Sequence, residues 1–253
     1  MKIDAYAGTH IGRRRNNEDA FWTSDRLGLY AVADGMGGYE GGEIASQLAL
    51  STIHGFFRQN AEDHEVTWPY ALKKDRTFLE NMGDAATRLA HQTIKLQKEG
   101  ALRSMGTTLA MILLEHQKKD TAKALIVHVG DSRVYLYRKQ RLSQLTVDHS
   151  LYEQLKATGM TVPPLKAFKH GNVITQALGM EIELTPTLST VTLEPGDRFL
   201  ICSDGLTGPV SDDELQRLMT IGNAKQTCEA MIKTAYNNGG NDNITAIVLD
   251  VLL

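Results

Sequence analysis

The sequence GTTLAMILLE at residues 106–115 opens a series of three apolar runs, continued by AKALIVHVG (residues 122–130) and VYLYR (residues 134–138). The runs are rich in aliphatic, β-branched and aromatic residues, and turn signals separate them. They follow one another too closely for alternating βαβ units. They therefore predict a meander of antiparallel strands.

Further elements lie on both sides of this meander. Other strand-like runs occupy residues 2–9, 20–24, 28–33, 187–193, 198–202 and 244–253. Apolar residues at helical spacing or capping residues predict helices at residues 43–58, 70–98, 150–159, from 211 onward and 224–236. The order of strands, two helices, strands and helices predicts an α+β fold with sheets in the middle and helices outside.

Composition describes an ordinary globular protein. The chain has 253 residues, of which 42% are hydrophobic and 23% charged, and we expect one domain, residues 1–253. A surface flap is predicted around residues 147–186, because residues 160–171 within it contain two prolines and several cations and follow no clear period. The net charge of −3 gives no general attraction to nucleic acid or to an anionic membrane.

The sequence also bears on location. Its start has no signal-peptide apolar core, and its apolar runs are too short to span a bilayer. The two cysteines, Cys202 and Cys228, have no spacing typical of a disulfide scaffold. We therefore expect a cytoplasmic protein without a membrane anchor.

Four aspartates lie beside predicted strands: Asp34, Asp131, Asp204 and Asp242. A carboxylate at a strand end is held by the sheet yet faces solvent, so four of them can converge on a hard cation. The oxygen-only set, without clustered His or Cys, favours Mg²⁺ or Mn²⁺ over Zn²⁺. A single Asp-Gly pair more often marks only a β-turn, but the repetition favours a metal site.

A second group of charges occurs in RRRNNEDA, residues 13–20. An arginine here can grip a phosphate through its two-pronged guanidinium, and the adjacent Glu18 and Asp19 can hold water around a metal. A run of arginines alone is more often a solvated charge cluster. The neighbouring acids favour the functional interpretation.

Seven short motifs occur in the order typical of one enzyme family. They are RxxNEDA (residues 14–20), VADGMGG (32–38), MGTT (105–108), GDSR (130–133), TxDHS (146–150), CSDGL (202–206) and GxxDN (239–243). With them the chain resembles, over nearly its whole length, the metal-dependent serine/threonine phosphatases of the protein phosphatase 2C class in their compact bacterial form. Each motif is modest, but together they are highly specific.

The resemblance implies a central antiparallel β-sandwich flanked by helices on both sides, in four layers α-β-β-α. It also implies two core Mn²⁺ or Mg²⁺ ions. Asp34 would bridge them, the carbonyl of Gly35 would bind one, and Asp204 and Asp242 would hold the other.

The same resemblance assigns the remaining polar residues of these motifs. Glu18 and Asp19 would act through metal-bound water, and Asp131, helped by Asp204, would bind a weaker third ion. Arg14 matches the arginine that binds the substrate phosphate. The implied reaction is hydrolysis of phosphoserine and phosphothreonine in proteins by a metal-activated water, with no phosphoenzyme.

Partners follow from the resemblance as well. It implies phosphorylated protein substrates and a cognate bacterial serine/threonine kinase of the Hanks type. The net charge and the short apolar runs predict that neither nucleic acid nor a membrane is a partner. We expect a monomer.

One residue and one segment depart from the family pattern. Met36 stands where many eukaryotic members have a histidine after Asp-Gly, which leaves the general acid open among a metal-bound water, His149 and His170. Structural or solvent-facing roles are the ordinary alternatives for both histidines. In the flap, KAFKHGNVITQALG (residues 166–179) replaces the usual His-Pro-x-Arg approach to NVIT.

The sequence also bears on other classes of function. Neither Cys202 nor Cys228 is followed by the arginine that a cysteine phosphatase needs, and DxDGT, P-loop and HExxH motifs are absent from the sequence. A catalytically inactive binding module would be expected to lose metal carboxylates. A hydrolase of small phosphorylated metabolites would need a deep, closed pocket, whereas an open cleft favours protein substrates.

Overall fold

The computed structural model describes residues 2–37, 41–63, 67–115 and 122–252. In chain order the strands are β1 (Lys2–His10), β2 (Asp19–Ser24), β3 (Leu29–Met36), β4 (Gly106–Thr107), β5 (Leu109–Glu115), β6 (Lys123–Val129), β7 (Arg133–Arg138), β8 (Arg141–Gln144), β9 (Thr187–Thr192), β10 (Arg198–Cys202) and β11 (Ile244–Leu252). The helices are α1 (Gly41–Glu62), α2 (Phe78–Leu96), α3 (Leu151–Ala157), α4 (Asp204–Thr207), α5 (Asp212–Leu218) and α6 (Ala224–Asn237). Short 3₁₀ helices occur at Gly100–Leu102 and Leu165–Ala167.

Two antiparallel sheets lie at the centre of the fold. One has the strand order β1-β11-β10-β7-β8 and the other β2-β3-β5-β6-β9, with β4 added beside β3. Each strand pair in the described ranges is antiparallel, as the closely spaced runs predict.

Three apolar cores separate four layers. Leu29, Ala31 and Ala33 of β3 face a core shared with α1 and α2, whereas Tyr30 and Val32 face the core between the sheets. A third core joins the β10–β11 side of the other sheet to α4, α5 and α6. Because β3 is buried on both faces up to Ala33, its sequence from Leu29 to Ala33 is continuously apolar rather than alternating. The predicted sandwich with helices on both sides is confirmed.

The helix predicted over residues 70–98 begins later than expected. Thr77 caps α2 at Phe78, since its hydroxyl accepts from Glu80 N–H while the Glu80 carboxylate accepts from Thr77 N–H. This capping box satisfies backbone groups at the helix start. The prediction was wrong by eight residues because apolar spacing alone extends across the irregular segment before Thr77.

Two short elements were not predicted. Strand β8 is a polar, mostly exposed edge strand, and α4 begins at Asp204 directly after β10. Both are too short to show a hydrophobic period. Within the predicted flap region, residues 147–186, the structure contains α3 and the 3₁₀ helix Leu165–Ala167.

Candidate metal centre

The strand pairing of β2 with β3 sets two acids side by side. Asp19 is directly opposite Asp34 in the register. Asp34 does not end its strand as predicted, because Gly35 and Met36 continue β3 by pairing with Thr107 and Gly106 of β4. The backbone of Asp34 is fixed further by Thr108, whose N–H donates to Asp34 O (2.9 Å) and whose Oγ1 accepts from Asp34 N–H (3.0 Å).

The other sheet contributes three acids from neighbouring strands. Asp204 follows β10, Asp242 precedes β11, and Asp131 lies in the turn between β6 and β7. Strand β10 lies between β7 and β11, with Cys202 opposite Arg133 on one side and opposite Ala246 on the other. The ends of these strands therefore bring the predicted aspartates to the same region.

Burial and mutual repulsion perturb this cluster strongly. Burial, followed by the charges of Asp19 and Asp204, raises the pKa of Asp34 well above its usual range. Burial raises the pKa of Asp19 to about 7 and that of Asp131 to about 7, with Asp204 adding repulsion to each. Burial and the charge of Asp242 raise the pKa of Asp204. A concentration of negative charge in a buried to half-buried cluster is unstable unless protons or cations neutralise it.

The donor chemistry fits a hard divalent cation. Oδ2 of Asp19 accepts from Ser203 Oγ (2.7 Å), but its buried Oδ1 has no hydrogen-bond partner within the described ranges. Among those residues no three acidic, histidine or cysteine side chains form a ready coordination shell. The fit therefore rests on the oxygen-only set, the buried charge and the unpaired oxygen of Asp19.

Arg14 reaches this cluster from the β1–β2 connection. Its Nη2 donates to Asp242 Oδ2 (2.6 Å), and its Nε donates to Asn241 O (2.9 Å). Arg14 is 51% exposed and Asp242 39% exposed, so the pair lies at the open side of the centre. A guanidinium there can meet an incoming phosphate while remaining close to a candidate metal ligand.

Glu18 and Gly35 form a tightly packed support beside α1. The Glu18 backbone carbonyl accepts from Gly35 N–H (3.1 Å) and from Ser46 Oγ (2.7 Å). A Cβ on Gly35 would lie 2.0 Å from Gly42 O, and one on Gly42 would lie 2.6 Å from a carboxylate oxygen of Glu18. Only glycines permit this approach of Glu18 to the first turn of α1.

The two histidine candidates for the general acid are in different surroundings. His149 Nδ1 accepts from Gly130 N–H (3.2 Å), and its Nε2 lies 2.9 Å from Thr187 Oγ1. His170 is exposed in the flap region, with its ring against Phe168. Both nitrogens of His149 are thus occupied by structural contacts, and Met36 has no proton to give.

Several supporting residues were missed although they belong to the quoted motifs. Ser203 bonds Asp19, and Asn243 Oδ1 accepts from Glu18 N–H (2.8 Å). Thr108 Oγ1 lies 2.6 Å from Ser132 Oγ. Serine, threonine and asparagine beside motif acids were the available signal, but which acid each one contacts depends on the tertiary fold.

A cavity of about 240 Å³ adjoins the centre. Its lining includes Asp131, Arg133, Asp204, Tyr152 and Asn172, so two of the candidate ligands form one side and flap-region residues the other. A larger cavity of about 600 Å³ lies between α1 and α2, and none of the candidate site residues lines it. Two of the candidate ligands, Asp131 and Asp204, thus line the smaller cavity.

Known proteins share this architecture and sequence. The family model described as Protein phosphatase 2C matches residues 8–248. Serine/threonine protein phosphatase PstP of Mycobacterium tuberculosis is 36% identical over 244 residues, which cover 94% of this chain and 43% of PstP. Protein phosphatase PhpP of Streptococcus pneumoniae is 34% identical over 251 residues, which cover 96% of this chain and 95% of PhpP. The chain thus spans less than half of PstP but nearly all of PhpP.

Solved structures of phosphatases have a similar fold. The crystal structure of M. tuberculosis PstP has a TM-score of 0.83 at 34% identity, with 99% of both chains covered. The PstP catalytic domain in complex with two manganese ions has a TM-score of 0.80 at 34% identity, again with 99% of both chains covered. The four layers, the order of the motifs and the match over most of the sequence agree: the chain belongs to the protein phosphatase 2C family.

Proposed function

We propose that this protein is a metal-dependent phosphatase of phosphoserine and phosphothreonine in proteins. The observation that carries the proposal is the cluster of buried and half-buried aspartates with Arg14 at its open side. The names of PstP and PhpP, both protein phosphatases, support it. An inactive binding module is disfavoured because every predicted metal carboxylate is retained.

The candidate ligands fall into two groups. Asp34, the carbonyl of Gly35, Asp204 and Asp242 would hold two core Mn²⁺ or Mg²⁺ ions, and Asp131 a third. Bound divalent cations would supply the positive charge that activates a water and neutralises the phosphoryl oxygens. The manganese-bound PstP structure supports this choice of metal.

The protein side chains would position the reactants. Arg14 would bind the substrate phosphate, since its half-exposed guanidinium faces the open side of the centre. Glu18 and Asp19 would accept hydrogen bonds from water in the same site, and the unpaired Oδ1 of Asp19 is available for this. Because His149 is bonded at both nitrogens, a solvent water is the proposed proton donor to the leaving alkoxide.

The openness of the site favours protein substrates over small metabolites. The Arg14 side chain is exposed and that of Asp242 is half-buried, and the adjoining cavity of about 240 Å³ is bounded in part by flap-region residues. A phosphorylated side chain on a protein surface can reach such a centre without being enclosed. Enclosure is what a site for a small phosphorylated metabolite would provide.

The wider assignments are proposals of the same kind. The chain would act as a single catalytic domain, with residues 147–186 as a surface flap, and as a monomer that reverses a serine/threonine kinase in the cytoplasm. The two cysteines are free and buried, which suits a reducing compartment. None of the helices within the described ranges combines the length and hydropathy needed to cross a bilayer.

The test is phosphate release from a phosphothreonine peptide, with Mn²⁺ or with chelator. Wild type is compared with Asp34→Asn and with Asp213→Asn, an exposed aspartate in the first turn of α5. Release that needs Mn²⁺, is lost in Asp34→Asn and is kept in Asp213→Asn is expected. Folded wild type that releases no phosphate with Mn²⁺ or Mg²⁺ would contradict the proposal.

A further inference from the structure

The flap region returns to the sheets through residues 172–178, and this return segment is hydrogen-bonded at Thr175 and at Leu178 to backbone near candidate metal ligands. Thr175 N–H donates to His149 O (2.7 Å). Further along, Thr107 and Leu178 exchange two backbone hydrogen bonds of 3.1 and 2.8 Å. Thr107 also donates from Oγ1 to the carbonyl of Asp34 (2.9 Å). The return segment is therefore part of the framework of the metal centre.

His149 joins that segment to the turn that carries Asp131. Its N–H donates to Gly130 O (2.7 Å), and its ring Nδ1 accepts from Gly130 N–H (3.2 Å). Both peptide groups flanking Gly130 are thus bonded to one residue. Gly130 has a φ of +104° and immediately precedes Asp131, so its orientation determines where the Asp131 carboxylate points.

The hydrogen bonds also define the state of the His149 ring. Because Nδ1 accepts, the proton of the neutral ring is on Nε2, which donates to Thr187 Oγ1 at 2.9 Å in β9. The ring centroid lies 4.7 Å from that of His128, which is fully buried. The imidazole therefore spans from the Asp131 turn to β9 and packs on the strand that leads into the turn.

We propose that His149 is a positioning residue: its imidazole holds the Gly130 peptide, and with it the Asp131 carboxylate, in register with β9 and the flap region. The proposal rests on the proposed function, since it gives Asp131 the role of ligand for a weaker third cation. Loss of the ring acceptor makes the turn more mobile and selectively lowers the affinity for that third cation. The core ions, held by other strands, keep their affinity.

Hydrogen exchange and Mn²⁺ binding test this role on the full chain. His149→Leu removes both ring bonds, and His149→Asn keeps an acceptor near the Nδ1 position. Thr187→Val removes only the outer partner. His170→Leu is the matched control, because His170 is an exposed histidine in the same region whose ring contact is with Phe168.

In His149→Leu, amide exchange in residues 129–133 should rise about threefold or more, as expected for one lost hydrogen bond. In calorimetric titration, the Mn²⁺ affinity of the low-affinity class of sites should fall by a similar factor, while the affinity of the high-affinity class is unchanged. His149→Asn should recover most of the wild-type exchange in the turn, and His170→Leu should match wild type.

Three results would overturn the role. They are unchanged exchange at residues 129–133 in folded His149→Leu, equal weakening of all Mn²⁺ classes, or a His149→Asn turn as labile as that of His149→Leu. If His149→Leu does not fold, His149→Asn and Thr187→Val decide. Both keep an acceptor for the Gly130 N–H, so a protected turn is expected in each, and a labile turn in His149→Asn would overturn the role. Hydrogen exchange can be measured on an inactive protein. If the variants show the expected exchange pattern but the wild type has no phosphatase activity, the proposed function is contradicted and the positioning role of His149 is not.

Discussion

Thr108 Oγ1 lies 2.6 Å from Ser132 Oγ in the buried space between β5 and the β6–β7 turn. The same hydroxyl accepts from the backbone N–H of Asp34 (3.0 Å), and Ser132 directly follows Asp131. A candidate metal ligand in β3 and one in the turn that connects the two sheets are therefore joined through one pair of hydroxyls. Because buried polar groups without partners are costly, this link fixes the spacing of the two aspartates.

The first prediction concerns Thr108→Val, which keeps the side-chain shape and removes the hydroxyl. We expect the free energy of unfolding to fall by about 1–3 kcal/mol, because Ser132 and the Asp34 N–H lose a buried partner. Urea denaturation measures the change. Thr190→Val, at an exposed position of β9, is the control and should be nearly neutral. Equal stability of the two variants would mean that the hydroxyl pair contributes nothing.

The second prediction concerns Arg14→Lys. A lysine keeps the charge but loses the two-pronged geometry, so kcat/KM for a phosphopeptide should fall about 10- to 100-fold. Inhibition by inorganic phosphate should weaken in parallel, which steady-state kinetics can measure. Arg15→Lys, a neighbouring exposed arginine, should behave like wild type. If phosphate inhibits both variants equally, Arg14 does not bind the phosphate.

The third prediction concerns the charge of Asp34 without metal. Burial and neighbouring carboxylates raise its pKa well above the usual range, so its ionised form destabilises the fold. In the presence of chelator, Asp34→Asn should therefore melt at a higher temperature than wild type. Added Mn²⁺ should raise the melting temperature of the variant only a little. Thermal denaturation with and without Mn²⁺ checks both halves. A lower melting temperature than wild type in chelator would show that repulsion at Asp34 is not dominant.

The sequence predicts the aspartates as candidate ligands but not their supporting contacts, and their role as ligands stays a prediction. The prediction was possible because a carboxylate beside a strand has a chemical meaning that does not depend on the rest of the fold. The Thr108–Ser132 contact joins residues 24 positions apart and depends on how the sheets are placed. The continuation of β3 beyond Asp34 likewise needs β4, a two-residue strand without a sequence period.

The layers were predicted better than the helix boundaries. Apolar runs and helical spacing report burial, and burial was enough to order the sheets and helices. The start of α2 depends on the local bonds between Thr77 and Glu80, which apolar spacing does not record. Residues 38–40, which include the end of the VADGMGG motif, lie outside the described residues.

The fourth prediction is a pH dependence. The folded-state pKa of Asp19 and of Asp131 is about 7, above the usual value of 3.8. Below pH 3.8 both carboxylates are protonated in the folded and in the unfolded protein, so they do not lower the stability of the fold. As pH rises through about 7 the folded carboxylates ionise and stability is lost.

Bound Mn²⁺ replaces those protons, so the rise in melting temperature that Mn²⁺ causes should grow from about pH 5 to about pH 7.5 and then level off. Histidines such as His128, whose pKa burial lowers to about 3, affect both measurements alike and cancel in the difference. A Mn²⁺ effect that is constant over this range would contradict the assignment of these carboxylates to metal binding.

The last prediction compares two glycines that differ only in surroundings. A Cβ on Gly35 would lie 2.0 Å from Gly42 O and 2.6 Å from Glu18 O, and both neighbours are backbone that cannot move aside without shifting α1 or β2. A Cβ on Gly55, inside α1, meets nothing within 4 Å. Gly35→Ala should destabilise the fold by about 2 kcal/mol or more, as overpacking does, and should weaken Mn²⁺ binding.

Gly55→Ala should instead stabilise it by about 0.5–1 kcal/mol, because alanine restricts the unfolded chain and favours the helix. Urea denaturation of both variants, with Mn²⁺ titration of each folded protein, separates the effects. If Gly35→Ala were as stable as Gly55→Ala, then the close approach of β3 to the start of α1 would not be a constraint. The placement of the Gly35 carbonyl as a metal ligand would then lose its physical basis.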